Sequence, residues 1–300
     1  MWGERLYRFG MYLGIDHGTT AMRFAAPSGE MKIPRRDATA FTMDDLSPLS
    51  PDGVFDGIAV CYSMGDAISA ITDIRKVQNR GVITREGAGE HIGGGTRVYD
   101  AVRESGIPAV VIPGIHRGSP TDPRFKAYSH QTSPEKLGIA YEVQQSLGDT
   151  FVVADVSSNT VSLLVKGGVI IGAFDACVFA PGTTHGALDV DAIRRIDRGE
   201  ETANQAFLHA GVRHTLPPDQ QGPALALWTA MEIAALRILV PGAPIALAGS
   251  HAPFVAGEVE AILGDAISVF DEWAAARGLS RIARDVFAGT RTILGLAVDL

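Results

Sequence analysis

MYLGIDHGTTAMRFAAPSG (11–29) runs an apolar stretch into Asp16, turns through Gly18-Thr19-Thr20 and returns as a second apolar stretch ending at Gly29. FVVADVSSNTVSLLVKGGVIIGAFDA (151–176) repeats this grammar and adds a Gly turn and a third strand. Apolar runs bounded by Gly, Ser, Asn and Asp predict β-hairpins. The two segments align at a constant offset of 139: Asp16 falls on Asp155, Gly18 on Ser157, Thr19 on Ser158, Thr20 on Asn159 and Gly29 on Gly168. Both turns place an acid at the strand end followed by small or hydroxyl residues. The repeat predicts a chain of two halves with a common architecture.

The rest of the chain supports an α/β class. GIAVCYSMG (57–65) and IPAVVIPGI (107–115) predict strands, and TRVYDAVRES (96–105) predicts a helix. A helix is expected from Ser133-Pro134-Glu135 onward, with Ser133 as N-cap. The expected organisation is an N-terminal extension over 1–10, with Met11 as the expected start, a first domain over 11–147 and a second over 148–300. The second half reads as more helical. Asp189 is an expected N-cap, PALALWTAMEIAALRILV (223–240) an expected buried helix opened by Pro223, and ARDVFAGTRTILGLAVDL (283–300) an expected closing helix.

Composition narrows the function. The 300 residues carry 26 Lys plus Arg against 34 Asp plus Glu, a net charge of −8, with 46% hydrophobic residues. This is a globular balance, and the acidic excess argues against nucleic acid as a partner. No apolar run reaches the roughly 20 residues that span a bilayer, so no membrane partner is expected. Cys61 and Cys177 lack metal-ligand or disulfide-framework spacing, which points to a reducing, cytoplasmic setting. The 34 glycines follow no fixed period and therefore mark tight turns or close approaches.

The two acid-plus-turn units carry the chemistry. Backbone N–H groups and hydroxyls of such turns surround a phosphate, and two turns facing each other form a cleft that clamps a polyphosphate. Asp16 and Asp155 cannot hold phosphate directly. They are useful through Mg²⁺ or by orienting a nucleophile. A third element, IALAGSHAP (245–253), carries an apolar strand into Gly249 and Ser250, where a flat ligand can lie against the backbone.

GIDHGTT, DVSSNT and LAGSHAP, in that order, resemble the first phosphate, second phosphate and adenosine motifs of the superfamily that joins acetate kinases, sugar kinases, heat-shock chaperones and actin. Over residues 11–300 the chain is similar to the archaeal methanogenesis marker protein 12 family, related to acetate and butyrate kinases. GAGEHIGGGT (87–96), SHQTSPEK (129–136) and APGTTHGALDVDAIR (180–194) contribute to the match.

The resemblance implies two duplicated ribonuclease H-like domains around an ATP cleft. It implies Asp16, Gly18, Thr19 and Thr20 about the terminal phosphate and metal, Asp155, Ser157, Ser158, Asn159 and Thr160 in the second turn, and Gly249 with Ser250 near adenosine. It also implies His185 and Arg194 as transition-state or substrate contacts. Ser157, Ser158 and Asn159 replace glycines of the acid kinases. His91, Arg97, His116, Arg117 and His130 are further candidates for an anionic substrate. The expected activity is transfer of a phosphoryl group from ATP, with Mg²⁺, to a small carboxylate or other oxyanion. The alternatives are an ATP-hydrolysing switch acting on a partner protein and a nucleotide-binding protein without catalysis. A homodimer is expected by the same resemblance.

Overall fold

The computed structural model describes residues 10–84 and 93–300. Expectations for the N-terminal extension, for His91 and for residues 87–92 of the Gly-rich segment lie outside the described residues. The first hairpin forms strands β1 (Tyr12–His17), β2 (Ala21–Ala26) and β3 (Gly29–Pro34). Behind them come β4 (Gly57–Val60), β5 (Ile71–Asp73), helix α1 (Gly94–Glu104) and β6 (Ala109–Val111). A short ribbon of β7 (Ile115–His116) and β8 (His130–Thr132) then leads into α2 (Glu135–Leu147).

The second half opens with β9 (Phe151–Val156), β10 (Thr160–Lys166) and β11 (Val169–Phe174). Shifting β1 by 139 gives 151–156, the bounds of β9, so the duplication seen in the sequence is a duplication of strands. Helices α3 (Val190–Asp197), α4 (Ala203–Leu208), α5 (Val212–Thr215) and α6 (Pro218–Arg237) follow. The chain continues through β12 (Ile245–Ala248), α7 (Ala252–Leu263), β13 (Ile267–Val269) and α8 (Ala274–Phe287). It closes on β14 (Thr292–Ile293) and β15 (Leu296–Asp299).

The sheets share one topology. The first runs β14-β15-β5-β6-β4-β1-β2-β3 and the second β11-β10-β9-β12-β13. In each, the leading strand pairs antiparallel with its hairpin partner and parallel with a later strand, β1 with β4 and β9 with β12. Two such sheets make this the two-domain ribonuclease H-like fold. Helices α2 and α8 lie between the sheets. Leu137, Ala140, Leu279 and Ile282 share one core with Val110 of the first sheet and Phe151 and Val153 of the second. The outer face of the first sheet packs Leu13, Ile15 and Ile58 with Val98 and Tyr99 of α1. The outer face of the second packs Val152 and Ala154 with Ile233 of α6 and Val255 of α7. Central strands are therefore covered on both sides, which explains their unbroken apolar runs.

Strand alternation positions the site. With Phe151 and Val153 facing the middle layer, Asp155 faces it too. By the repeat, Asp16 does the same on β1. Both acids sit at the carboxyl ends of their strands, where α2 begins.

Three expectations about elements are corrected, those for the closing segment, for α6 and for the cap of α2. The closing segment is not helical throughout: α8 stops at Phe287, and Leu294 (φ 50°) and Gly295 (φ 85°) form the two-residue turn of a terminal hairpin whose last strand pairs parallel with β5. Positive φ at both turn positions matches the right-handed strand twist that such hairpins need. The expected boundary at 147/148 falls between α2 and β9, yet this hairpin returns to the first sheet. Helix α6 begins at Pro218, with Pro223 inside it, and leaves Leu227 and Met231 exposed because the sheet and α7 cover only its other faces. Ser133 does not cap α2, whose N-cap is Pro134. The Ser133 hydroxyl instead donates to Glu135 Oε1 at 2.6 Å. Asp189 does cap α3, accepting from Ala192 N at 2.8 Å.

The middle helices cross where each has glycine. A β-carbon on Gly278 would collide with the Gly138 carbonyl, whereas Gly257 on the exposed face of α7 has open space around it. Gly278→Ala is expected to destabilise by about 1–3 kcal/mol through overpacking. Gly257→Ala is expected to stabilise by up to about 1 kcal/mol through helix propensity. Denaturant unfolding of both variants checks the opposite signs.

Candidate functional site

The two duplicated turns open onto one cavity of about 220 Å³ between the sheets. Gly18, Thr19 and Thr20 line it from the first half, and Ser157, Ser158 and Asn159 from the second. Gly249 and Ser250 close another wall. Gly249 stands at φ 95°, and a β-carbon there would collide with the Asp155 carboxylate and the Ser157 hydroxyl. Only glycine lets β12 end so close to the acid. Ser157 Oγ donates to Asp155 Oδ1 at 2.7 Å, and Ser250 N donates back to Ser157 Oγ at 3.4 Å.

The acids have unlike partners. Asp16 is 4% exposed, and Arg23 approaches its Oδ2 at 3.5 Å while Oδ1 has no hydrogen-bond partner among the described residues. Burial raises its pKa to about 7, against the pull of Arg23. Asp155 is held differently. Lys136 Nζ, buried at the start of α2, lies 2.8 Å from Asp155 Oδ2 and 2.7 Å from Glu135 Oε1. Burial works to discharge Lys136, but Asp155 and Glu135 outweigh it and raise its pKa. Burial likewise pushes Glu135 up, and Lys136 with Ser133 reverses the effect and leaves it lowered. A second cluster lies at the rim, where Glu272 accepts from Arg23 at 3.0 Å and from Lys32 at 3.0 Å.

A second cavity of about 680 Å³ adjoins the first. Thr19, Thr20, Ser158 and Thr184 line both. His185 lines the second, donating from Nδ1 to Asn159 Oδ1 at 2.5 Å and stacking on Phe207 with ring centroids 4.9 Å apart. An amide oxygen only accepts, so this assignment leaves a lone pair on Nε2. Burial lowers His185 to about 4, so the ring is neutral at pH 7.

Most sequence-predicted residues thus converge, but not all. Thr160 is buried and donates to the Pro181 carbonyl at 2.9 Å, away from both cavities. Arg194 is exposed on α3, paired with Asp191 at 3.1 Å, because its position in the helix turns it to solvent. Arg97 donates to the Phe41 carbonyl at 2.7 Å, and Arg117 to that of Lys126 at 3.0 Å. His116 accepts from Gly118 N at 3.1 Å. His130 pairs with Asp175 at 3.1 Å. These four bind their own loops and neighbours and line neither cavity.

Several lining residues escaped the sequence reading: Arg23, Glu135, Lys136, Thr183, Thr184, Arg213 and Glu272. One signal was available for two of them, because Gly182-Thr183-Thr184 repeats Gly18-Thr19-Thr20. Thr183 N and Thr184 N donate to the Ser157 and Ser158 carbonyls, both at 3.1 Å, which lays this segment along the second turn.

The fold and the position of the cavity between its halves place the chain in the class of two-domain ribonuclease H-like proteins. Acetate kinase from Porphyromonas gingivalis superposes with a TM-score of 0.55 at 9% identity, covering 92% of this chain and 99% of that one. The chain belongs to the UPF0285 family. It is 46% identical to the UPF0285 protein of Methanosarcina mazei, covering 96% of this chain and 99% of that protein. It is 39% identical to the UPF0285 protein of Methanococcus maripaludis over the same shares. No protein-family model matches the chain. No helix among the described residues is long and apolar enough to cross a membrane.

Two outcomes are expected. A carboxylate raised from 3.8 to about 7 by folding makes the native state bind more protons than the unfolded one in that interval, so its contribution to stability falls as pH rises through it. Asp16→Asn removes this dependence. Its melting temperature relative to wild type should climb between about pH 4 and 7 and then level off. Lys136→Met strands two buried carboxylates and should cost about 3–5 kcal/mol in denaturant unfolding.

Proposed function

We propose that the protein is an ATP-dependent phosphotransferase acting on a small oxyanion. We further propose that the UPF0285 family corresponds to the methanogenesis marker protein 12 family that the sequence resembles. The observation that carries the activity is the meeting of both duplicated hydroxyl-bearing turns, Gly18–Thr20 and Ser157–Asn159, in one cavity with Asp16 and Asp155. Thr19, Thr20 and Ser158 would donate to the terminal phosphate. Arg23, Lys136 and Arg213 line the same cavity and offset its charge. Gly249 and Ser250 line the same cavity, where a flat base would lie against the backbone.

Mg²⁺ fits one oxygen of this site. No group of three or more His, Cys, Asp or Glu among the described residues is arranged to hold a metal ion unaided. Lys136 already engages Glu135 and Asp155, whereas Asp16 Oδ1 is buried and has no hydrogen-bond partner among the described residues. One carboxylate completed by substrate phosphates and water is a coordination that Mg²⁺ accepts. When bound, the ion would neutralise charge on the phosphates. Asp16 would hold it, giving up its proton on binding. In the reaction an acceptor oxygen bonds to the terminal phosphorus as the bond to the bridging oxygen breaks, and the nucleoside diphosphate leaves with that electron pair. Residues shared by the two cavities stand where the donor and acceptor meet.

Calorimetry with a non-hydrolysable ATP analogue and Mg²⁺ tests the reading. Binding is expected to tighten as pH rises through about 7, where Asp16 ionises, and to weaken at least about tenfold in Asp16→Asn. Equal affinity in the variant at pH 8 contradicts the assignment of Asp16.

A further inference from the structure

Helix α6 turns an apolar stripe to solvent. Pro223, Leu227, Met231, Ala234 and Ile238 recur at intervals of three and four residues along its exposed face. Of the two charged side chains over 223–238, Glu232 is buried against the Ser162 hydroxyl and the Ala180 amide, and Arg237 is turned to Asp265. Helix α7 packs beside α6 on the same sheet, so its outer face looks the same way. There Phe254 is 82% exposed and Ile262 nearly half exposed, with Glu258 as the charged side chain between them.

A single exposed leucine is ordinary, whereas a contiguous apolar plane over two helices marks a docking surface. The stripe spans about 22 Å, and a neighbouring helix at roughly 10 Å doubles its width. Two copies placed face to face would bury on the order of 1,000 Å², enough for a specific but weak association. The order of residues along the stripe fits such a pairing. With α6 antiparallel to the partner's α6 and a two-fold axis at Met231, Leu227 meets the partner's Ala234 and Ile238 meets the partner's Pro223, so each bulky residue faces a smaller one. A lipid surface fits less well, because Arg237 is the one Lys or Arg between 218 and 264 and the chain carries a net charge of −8.

We infer that the outer face of α6 and α7 is the interface of a two-fold homodimer, with α6 antiparallel to its copy about Met231.

Sedimentation velocity of the full chain tests this. A reversible equilibrium between 31.7 kDa and twice that mass is expected over about 1–100 μM, and added salt should not weaken it, because no ion pair crosses the apolar face. Met231→Glu sets two buried like charges at the axis and is expected to weaken the dimer at least about tenfold. Its thermal melting should match the wild type, since the Met231 side chain faces solvent in the single chain. Leu227→Glu is expected to dissociate the dimer likewise. Adding Ala234→Lys to it sets an opposite charge across the axis and should recover at least about threefold of the loss. Val190→Glu, on an exposed position of α3, is the control that leaves the dimer unchanged. A chain that stays monomeric over that range, with or without binding to phosphatidylcholine vesicles, overturns the inference. So does a dimer that Met231→Glu and Leu227→Glu leave intact, that Val190→Glu weakens equally, or that Ala234→Lys fails to recover.

Discussion

The close crossing of α2 and α8 between the two sheets is the constraint on which the molecule depends. Gly138 and Gly278 let the helix backbones touch, and the core that surrounds them joins residues from both halves. Each sheet thereby has a second buried face. The same crossing fixes the start of α2 at the carboxyl ends of β1 and β9. Glu135 and Lys136 then stand beside the acids of the duplicated turns rather than in solvent. A buried ammonium is held here between two carboxylates, and without it both would be uncompensated buried charges.

From this follows an unequal treatment of two acids that the sequence makes equivalent. Asp155 is paired within the protein, by Lys136. Asp16 keeps a buried oxygen without a partner among the described residues and a pKa raised to about 7 by burial, so it is the member of the pair left to meet something from outside. Beyond the shared hydroxyl wall lies the second cavity, with His185 in its lining.

The legible part of this arrangement was local. An acid at a strand end and a turn of small hydroxyl residues are contiguous in sequence, so Asp16, Asp155 and their turns could be read, and the offset of 139 revealed their kinship. Gly249 was legible for a similar reason, as the end of a short buried strand. Glu135 and Lys136 were not. Their role arises from a helix start brought to two strand ends by packing, and nothing in SPEK itself announces it. Thr183 and Thr184 were within reach through the repeated Gly-Thr-Thr, but they are laid on the second turn chiefly by backbone N–H bonds that any residue could make, with one added from the Thr183 hydroxyl to the Ser157 carbonyl at 3.0 Å. Arg194 failed because its direction is set by the phase of α3. The terminal hairpin was hidden by residues compatible with a helix, with Gly295 as the punctuation that decides against it.

A crystal structure of the protein with Mg²⁺ and a non-hydrolysable ATP analogue tests the central claim most directly. The account predicts the terminal phosphate within hydrogen-bond distance of Thr19, Thr20 and Ser158, Asp16 on the metal, and the base beside Gly249. A nucleotide bound elsewhere, or a metal held by Glu135 and Asp155 with Lys136 displaced and Asp16 untouched, would contradict it.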